Sequence, residues 1–129
     1  MFLSAKMILM SSETKPTVSK EETFDLLDIR MGKVLTVELE PDAPKKSYKM
    51  TVDFGKYGVK TTVARLTCHT PEELTGLLVF GVLNFGSRTV GTTLSEFLCL
   101  GVQVAKLDSG EATPVTPLNP NVKIGSKLF

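Results

Sequence analysis

The chain has 129 residues, of which 42% are hydrophobic and 22% are charged, and its formal net charge is +1. These values are typical of one globular domain with a small core, and the size favours an additional apolar contact with a second copy. The balanced charge argues against a protein whose whole surface attracts nucleic acid, although a local basic patch stays compatible with it.

The N-terminal region is predicted to be a disordered lead-in over residues 1–18, followed by a domain over residues 19–129. Residues 7–10 form a short apolar run, whereas a secretory signal needs about 7–15 apolar residues and a spanning helix about 20. Residues 11–20 are rich in Ser, Thr, Lys and Glu, a composition typical of disorder. We therefore expect a cytoplasmic protein without membrane insertion, and Met10 is an alternative start.

The first predicted elements are a brief helix and a long strand. Ser19 and Glu22 have the spacing of a capping box, and Phe24 and Leu27 follow on one helical face. Residues 28–39 then alternate between apolar and polar types, which predicts a half-buried strand. Its buried face is predicted to consist of Ile29, Met31, Leu35, Val37 and Leu39, and Gly32 indicates a bulge or a sharp coil.

Four more strands and one helix are predicted downstream. Residues 47–54 and 59–67 have strand patterns, and Thr70, Pro71 and Glu73 carry the signals that start a one-turn helix, with Gly76 to end it. Residues 77–85 and 94–107 are apolar runs of strand type. Five strands with a short helix between the third and the fourth are typical of the all-β OB-fold barrel. Because Pro114, Pro117 and Pro120 disfavour a central strand, the C-terminal segment should cover an edge or a partner.

The sequence offers no catalytic centre, no metal site and no cofactor motif. Cys68 and Cys99 are predicted to be buried, reduced thiols. The single histidine, His69, neighbours Cys68 and would point away from it on a strand, which disfavours a Cys-His nucleophile.

Cations are concentrated on the second and third strands and the loop that leads into them. The group contains Lys45, Lys46, Lys49, Lys56, Lys60 and Arg65, against Asp53 alone. Such a patch is able to contact nucleic-acid phosphates, and a solvated polar face is the alternative reading. Tyr48 and Tyr57 border the patch and are candidate stacking residues, whereas Phe54, Phe80 and Phe97 fit the core better.

The chain resembles the tRNA-binding OB domains found as free-standing proteins and appended to methionyl-tRNA synthetases. The motifs that carry the resemblance are DIRMGKV, YKMTVDFG, TPEELTG and LSE. PKKSYKMTVDFGKYGVKTTVARLT, NFGSR and LSEFLCLG are most similar to the CsaA branch of export-related chaperones. Gly86-Ser87 and Phe97-Leu98 stand where the tRNA-binding branch has a proline-bearing bend and a Gly-Met pair, which favours the CsaA branch.

The resemblance implies a homodimer with an RNA-binding face and, in the CsaA branch, a site for unfolded or pre-export polypeptides. It implies a nucleic-acid role for Asn84, Arg88, Ser95 and Glu96 and for Lys49, Lys60 and Arg65, to which the charge pattern adds Lys45 and Lys46. Asn84 and Ser95 have turn capping as their alternative role, and Glu96 is expected to pair with Arg88 or a backbone donor. Tyr48 and Phe85 are the predicted walls of a peptide site, and the expected dimer contacts are Phe24, Leu27, Leu118 and Phe129.

Two functions compete on this basis. The first is a non-catalytic chaperone that binds unfolded polypeptides and also tRNA or another structured RNA. The second is a dedicated tRNA-binding protein that recognises RNA shape through phosphate contacts.

Overall fold

A five-stranded antiparallel sheet forms the body of the protein in a computed structural model, which describes residues 13–105 and 110–129. The elements in chain order are β1 Ile29–Leu39, β2 Tyr48–Asp53, β3 Val59–Ala64, α1 Pro71–Leu74, β4 Leu78–Val82, β5 Arg88–Val90, β6 Thr93–Ser95, β7 Leu98–Cys99, β8 Gly101–Gln103 and β9 Ala112–Pro114. The sheet has the order β3-β2-β1-β4-β7, and two hairpins, β5-β6 and β8-β9, complete the fold. The sheet forms a nearly closed barrel, so the predicted OB-fold class is confirmed.

The helical elements are short. In α1 the Thr70 hydroxyl accepts a hydrogen bond from the Glu73 amide and the Glu73 carboxylate accepts one from the Thr70 amide, which is a capping box, and the helix start predicted from Thr70, Pro71 and Glu73 is confirmed. The predicted N-terminal helix is only a 3₁₀ turn, Phe24–Leu26. Ser19 accepts a hydrogen bond from the Glu22 amide at 3.3 Å, which is half of the expected capping box. A second 3₁₀ turn, Gly55–Tyr57, joins β2 to β3.

The barrel core is centred on Phe54, whose ring meets Phe97 edge-on with 4.9 Å between the ring centroids. Two glycines make room for these rings. A Cβ added at Gly32 would lie 2.7 Å from the Phe54 ring, and one added at Gly81 would lie 2.7 Å from both rings. Gly32 therefore leaves space for a core aromatic. Other buried residues of the cluster are Val34, Tyr48, Met50, Val52, Leu66, Leu74 and Val79.

Strand β1 differs from the predicted alternation. Ile29, Met31 and Val34 are buried, but Leu35 and Leu39 are exposed. The pairing of β1 with β2 shifts register between Val34 and Thr36, which is a bulge at Leu35. Leu35 is the extra residue of this bulge and has no partner on β2, and Leu39 is the last residue of β1, so the predicted burial of Leu35 and Leu39 is wrong.

The predicted fifth strand is divided into the three short strands β6, β7 and β8. After β9 the chain returns to the first half of β1, where residues 124–128 form a segment that we call the C-terminal strap. The Met31 amide donates to the Ser126 carbonyl at 2.9 Å, the Gly125 amide donates to the Met31 carbonyl at 2.8 Å and the Leu128 amide donates to the Ile29 carbonyl at 3.0 Å. The strap thus covers a free edge of β1, in agreement with the expectation from Pro114, Pro117 and Pro120 that the C-terminal segment covers an edge.

Both cysteines are unpaired, but their burial differs from the prediction. Cys68 is exposed, because it lies in the turn region between β3 and α1, so its predicted burial is wrong. Cys99 is half-buried, and burial raises the pKa of its thiol to about 12, which keeps it protonated at neutral pH. Within residues 13–105 and 110–129, no helix is long and apolar enough to cross a membrane. Residues 1–12 of the predicted lead-in lie outside the described ranges.

Candidate nucleic-acid and peptide interface

A cavity of about 360 Å³ opens where the β5-β6 hairpin meets β3. We call it the rim cavity. Its walls combine apolar side chains with a single guanidinium group and contain no carboxylate, so its chemistry suits a ligand with an apolar part and a negative charge. The lining residues are Thr62, Val63, Phe85, Gly86, Ser87, Arg88, Ser95, Phe97 and Leu98.

The exposed wall of the rim cavity consists of an aromatic, an aliphatic and a cationic side chain. Phe85 is 58% exposed and Leu98 is 47% exposed, although both belong to apolar runs of the sequence. Arg88 is exposed on β5, directly opposite Ser95 on β6. Buried Phe97 forms part of the floor. Of the predicted site residues, Phe85 and Arg88 are therefore the two that are exposed in the rim cavity.

Ser95 and Glu96 close the barrel at the free edge of β3. The Glu96 amide donates to the Thr61 carbonyl at 2.8 Å, and the Thr61 amide donates back to Oε1 of Glu96 at 2.9 Å. Two residues further along β3, the Val63 amide donates to the Ser95 hydroxyl at 3.3 Å. A buried backbone amide without a hydrogen-bond partner destabilises the fold. The side chains of Ser95 and Glu96 accept hydrogen bonds from β3 amides, as the carbonyls of a neighbouring strand would. Of the two expected roles of Glu96, the one seen is pairing with a backbone donor.

Buried Thr62 strengthens the same closure from inside. Its hydroxyl donates to the Phe97 carbonyl at 2.8 Å and lies 3.3 Å from the Ser95 hydroxyl. Ser95 is only 7% exposed, and these contacts occupy it within the protein. The arrangement favours the structural alternative for Ser95 over a nucleic-acid contact.

Asn84 connects the end of β4 to the N-terminal turn. Its Oδ1 accepts a hydrogen bond from the Asp28 amide, and its Nδ2 donates to the Leu26 carbonyl, both at 2.8 Å. Its amide group is thus engaged with backbone on both sides, as the capping alternative expects. Asn84 positions the N-terminal turn and contributes no wall to the rim cavity.

Tyr48 is not a surface residue, and its predicted role as a wall of the peptide site is wrong. It is 6% exposed within the core, and its hydroxyl donates to the His69 carbonyl at 2.8 Å. Burial raises the pKa of this phenol above its ordinary value. The aromatic ring fills the barrel because Tyr48 shares the inward face of β2 with Met50 and Val52.

The predicted basic patch is not one surface. Lys49 pairs with Val63, which lines the rim cavity, whereas Lys60 pairs with the core residue Val52 and therefore belongs to the opposite face of β3. Lys49 also lies 3.8 Å from Glu38, which offsets its charge. Lys45 and Lys46 are exposed in the loop before β2.

Arg65 lies apart from the other predicted contacts. Its guanidinium packs where a side chain at Gly110 would be, and its carbonyl accepts a hydrogen bond from the Ala112 amide at 2.9 Å. It is half-buried beside β9. Of the predicted nucleic-acid residues, Arg88 and Ser95 line the rim cavity, and Lys49 is paired with the lining residue Val63.

The sequence pattern does not identify several of the lining residues. Thr62 and Val63 have the pattern of ordinary strand residues, and Leu98 has the pattern of a buried strand residue. No residue in the apolar stretch 94–107 indicates that the strand is interrupted between β6 and β7. This interruption leaves Leu98 facing outward. Among the described part of the chain, no cluster of three His, Cys, Asp or Glu residues is placed to hold a metal ion.

Comparison with known proteins identifies relatives at the level of sequence and of structure. The methionine–tRNA ligase of Pyrococcus horikoshii is 34% identical over 110 residues, which cover 84% of this chain and 14% of the ligase. The chain thus spans about a seventh of that relative's length. No family model matches the chain.

Two solved structures superpose on almost the whole domain. The CsaA chaperone protein of Picrophilus torridus has a TM-score of 0.78 at 26% identity, covering 88% of this chain and all of its own. Chaperone CsaA of Bacillus anthracis has a TM-score of 0.74 at 31% identity, also with 88% of this chain and 100% of its own covered.

Proposed function

Because the chain belongs to the tRNA-binding domain family close to CsaA, we propose that it is a non-catalytic, homodimeric chaperone that binds unfolded or pre-export polypeptides in the rim cavity. Two structural relatives bear the name chaperone. The observation that carries the proposal is the exposed pair Phe85 and Leu98 beside a buried aromatic floor. Clustered exposed apolar side chains on a concave surface are typical of sites for extended apolar segments.

The shape and charge of the rim cavity favour peptide over nucleic acid. Its single cation, Arg88, is able to bind a peptide carboxylate or carbonyl, while Phe85 and Leu98 contact an apolar side chain. The candidate cations Lys60 and Arg65 do not line the cavity, and the Lys49 ammonium lies 3.8 Å from the Glu38 carboxylate. A strand of phosphates would therefore meet few cations here.

The chaperone proposal is tested by suppression of aggregation of a chemically denatured client, followed by light scattering. Phe85→Ala should lose most of the suppression because it removes the largest exposed wall of the cavity. Leu94→Ala is the matched control, since Leu94 is 53% exposed on the same hairpin but does not line the cavity. Full suppression by Phe85→Ala, or an equal loss with Leu94→Ala, would contradict the proposal.

The homodimer is proposed from exposed apolar residues of the C-terminal segment. Leu118 and Phe129 are fully exposed in the single chain. Phe129 borders an apolar groove of about 240 Å³ that also contains Met31 and Phe80. Phe24 and Leu27, the other two expected contacts, are half-buried. A second copy would remove this surface from water.

Sedimentation equilibrium at micromolar concentration tests the dimer. We expect the mass of two chains for the unchanged protein and of one chain for Leu118→Asp. Val59→Asp, a change at another exposed apolar position, should leave the mass at two chains. A single-chain mass for the unchanged protein would refute the dimer.

RNA binding is the second candidate, and the exposure of Arg88 favours it. If tRNA binds through phosphates at this rim, its affinity should fall steeply as salt rises. Arg88→Ala should weaken tRNA binding in a fluorescence anisotropy titration, whereas Lys33→Ala, at an exposed cation outside the cavity, should change it little. A salt-independent affinity would contradict this candidate. The cytoplasmic location stays a prediction.

A further inference from the structure

A basic pocket of about 290 Å³ lies between the turn Gly55–Tyr57 and the C-terminal strap. It shares no residue with the rim cavity. Its walls include three cations and one hydroxyl and contain no carboxylate. The lining residues are Arg30, Gly55, Lys56, Lys123, Ile124, Gly125 and Ser126.

Two backbone segments approach each other closely at this pocket. A Cβ added at Gly55 would lie 3.2 Å from the Ile124 carbonyl oxygen, and one at Gly125 would lie 3.1 Å from the Phe54 carbonyl oxygen. Both glycines have positive φ, at +67° and +91°. Arg30 joins the two walls, since its Nη1 donates to the Gly125 carbonyl at 3.4 Å.

Arg30 is held in a fixed orientation at the base of this pocket. Its Nε donates to Oδ1 of Asp28 at 2.6 Å, and its Cζ lies 4.6 Å from the centroid of the Tyr57 ring. Only 22% of its side chain is exposed. A guanidinium held by an ion pair and an aromatic face needs little reordering to bind a ligand.

The two lysines supply the unbalanced charge. In the ranges that the structure describes, neither Lys56 nor Lys123 has a carboxylate within 4.0 Å. Nζ of Lys56 lies 5.3 Å from the centroid of the Tyr57 ring that Arg30 also contacts. Asp53, the acidic residue closest in sequence, accepts a hydrogen bond from the Gly55 amide. The pocket therefore carries a net positive charge after Asp28 has offset Arg30.

We propose that this pocket binds a phosphate group, carried either by a small phosphoester or by the terminal phosphate of a nucleic acid. Two ammonium groups, a fixed guanidinium and the Ser126 hydroxyl match the negative charge and the acceptor oxygens of a phosphate. The volume accommodates one phosphate and a small attached group, and the concave shape suits a chain end better than a continuous strand.

The test compares binding of inorganic phosphate, by isothermal titration calorimetry, in the full chain and two lysine variants. Lys123→Ala removes a lining cation. Lys127→Ala is the matched control, because Lys127 is an exposed lysine of the strap that lines the apolar groove and not this pocket. Lys123→Met, which keeps an apolar stem, replaces the alanine variant if the latter shows a lower melting temperature.

A second arm measures the anisotropy of a short single-stranded oligonucleotide with and without a 5′-terminal phosphate. We expect saturable binding that Lys123→Ala weakens at least about tenfold and Lys127→Ala less than about twofold, because a lost charged hydrogen bond has that effect. If Lys123→Ala weakens the binding of inorganic phosphate, the pocket is a site for a small phosphoester. If it weakens the binding of the 5′-phosphorylated oligonucleotide only, the pocket is a site for the end of a nucleic acid. The proposal is overturned if neither probe depends on Lys123 or if both variants lose equally. Phe85→Ala should leave either result unchanged.

Discussion

Replacement of Glu96 tests whether the barrel is closed by a side chain. Glu96 and Thr61 exchange two hydrogen bonds, of which only the one to Oε1 depends on the glutamate side chain. Glu96→Ala therefore removes the acceptor and leaves an edge amide of β3 without its protein partner. Glu96→Gln keeps an acceptor oxygen at the same position and removes the negative charge.

The expected cost follows from the type of bond and its exposure. A hydrogen bond to a charged acceptor contributes about 1.5–3 kcal/mol, and the half-exposed position of Glu96 favours the lower end because water replaces part of the lost contact. A loss of about 1.5 kcal/mol in a domain of this size lowers the melting temperature by about 5 °C. Glu96→Gln should cost roughly half as much, since a neutral hydrogen bond contributes about 0.5–1.5 kcal/mol.

Urea unfolding followed by circular dichroism measures both variants. Glu38→Ala is the control, because its carboxylate lies 3.8 Å from Lys49 on the surface and such pairs contribute little. If Glu96→Gln destabilises the protein as much as Glu96→Ala, charge pairing and not the acceptor to Thr61 accounts for the effect. That result would refute the claim that the Glu96 side chain closes the barrel by accepting the Thr61 amide.

Three further changes probe other parts of the fold. Gly81→Ala should destabilise by about 1–3 kcal/mol in urea unfolding, because its Cβ would meet the core aromatics at 2.7 Å. Asn84→Ala should cost about 1–2 kcal/mol and expose the N-terminal turn to limited proteolysis, since two bonds to backbone are lost. The Thr93 hydroxyl and then the Asp42 amide lower the pKa of the Glu40 carboxyl below 4.5. The stability that this shift contributes is complete above pH 4.5 and is lost as the pH falls through the lowered pKa. When the melting temperature is measured against pH, Glu40→Gln should abolish this part of the acid-induced loss of stability.

The fold could be predicted because its signals are local. The capping box of α1 is formed by Thr70 and Glu73, which are three positions apart, and the alternation of β2 places Met50 and Val52 inward, as the structure has them. The predictions are wrong where the side of a strand on which a side chain lies depends on pairing with a strand distant in sequence. The bulge at Leu35 is set by how β1 pairs with β2, and no residue type in β1 marks its place.

The candidate site was harder to predict for the same reason. Tyr48 and Lys49 are adjacent in a basic segment, yet the strand period turns one into the core and leaves the other at the surface. Lys49 and Lys60 appear as one patch in the sequence, but the register of β2 with β3 assigns them to opposite faces. Counting charges along the sequence therefore overestimates the charge of a surface patch on two strands, because it adds residues from both faces of the sheet.

The closure of β3 also changes how the LSE motif is to be understood. Ser95 and Glu96 use their side chains on backbone amides of β3, so their presence is explained by barrel geometry without any ligand. In the proposed function, ligand choice falls to the exposed lining residues of the rim cavity, Phe85, Arg88 and Leu98. In the proposed chaperone, exposed Leu98 extends the apolar wall directly after Phe97 has filled the core.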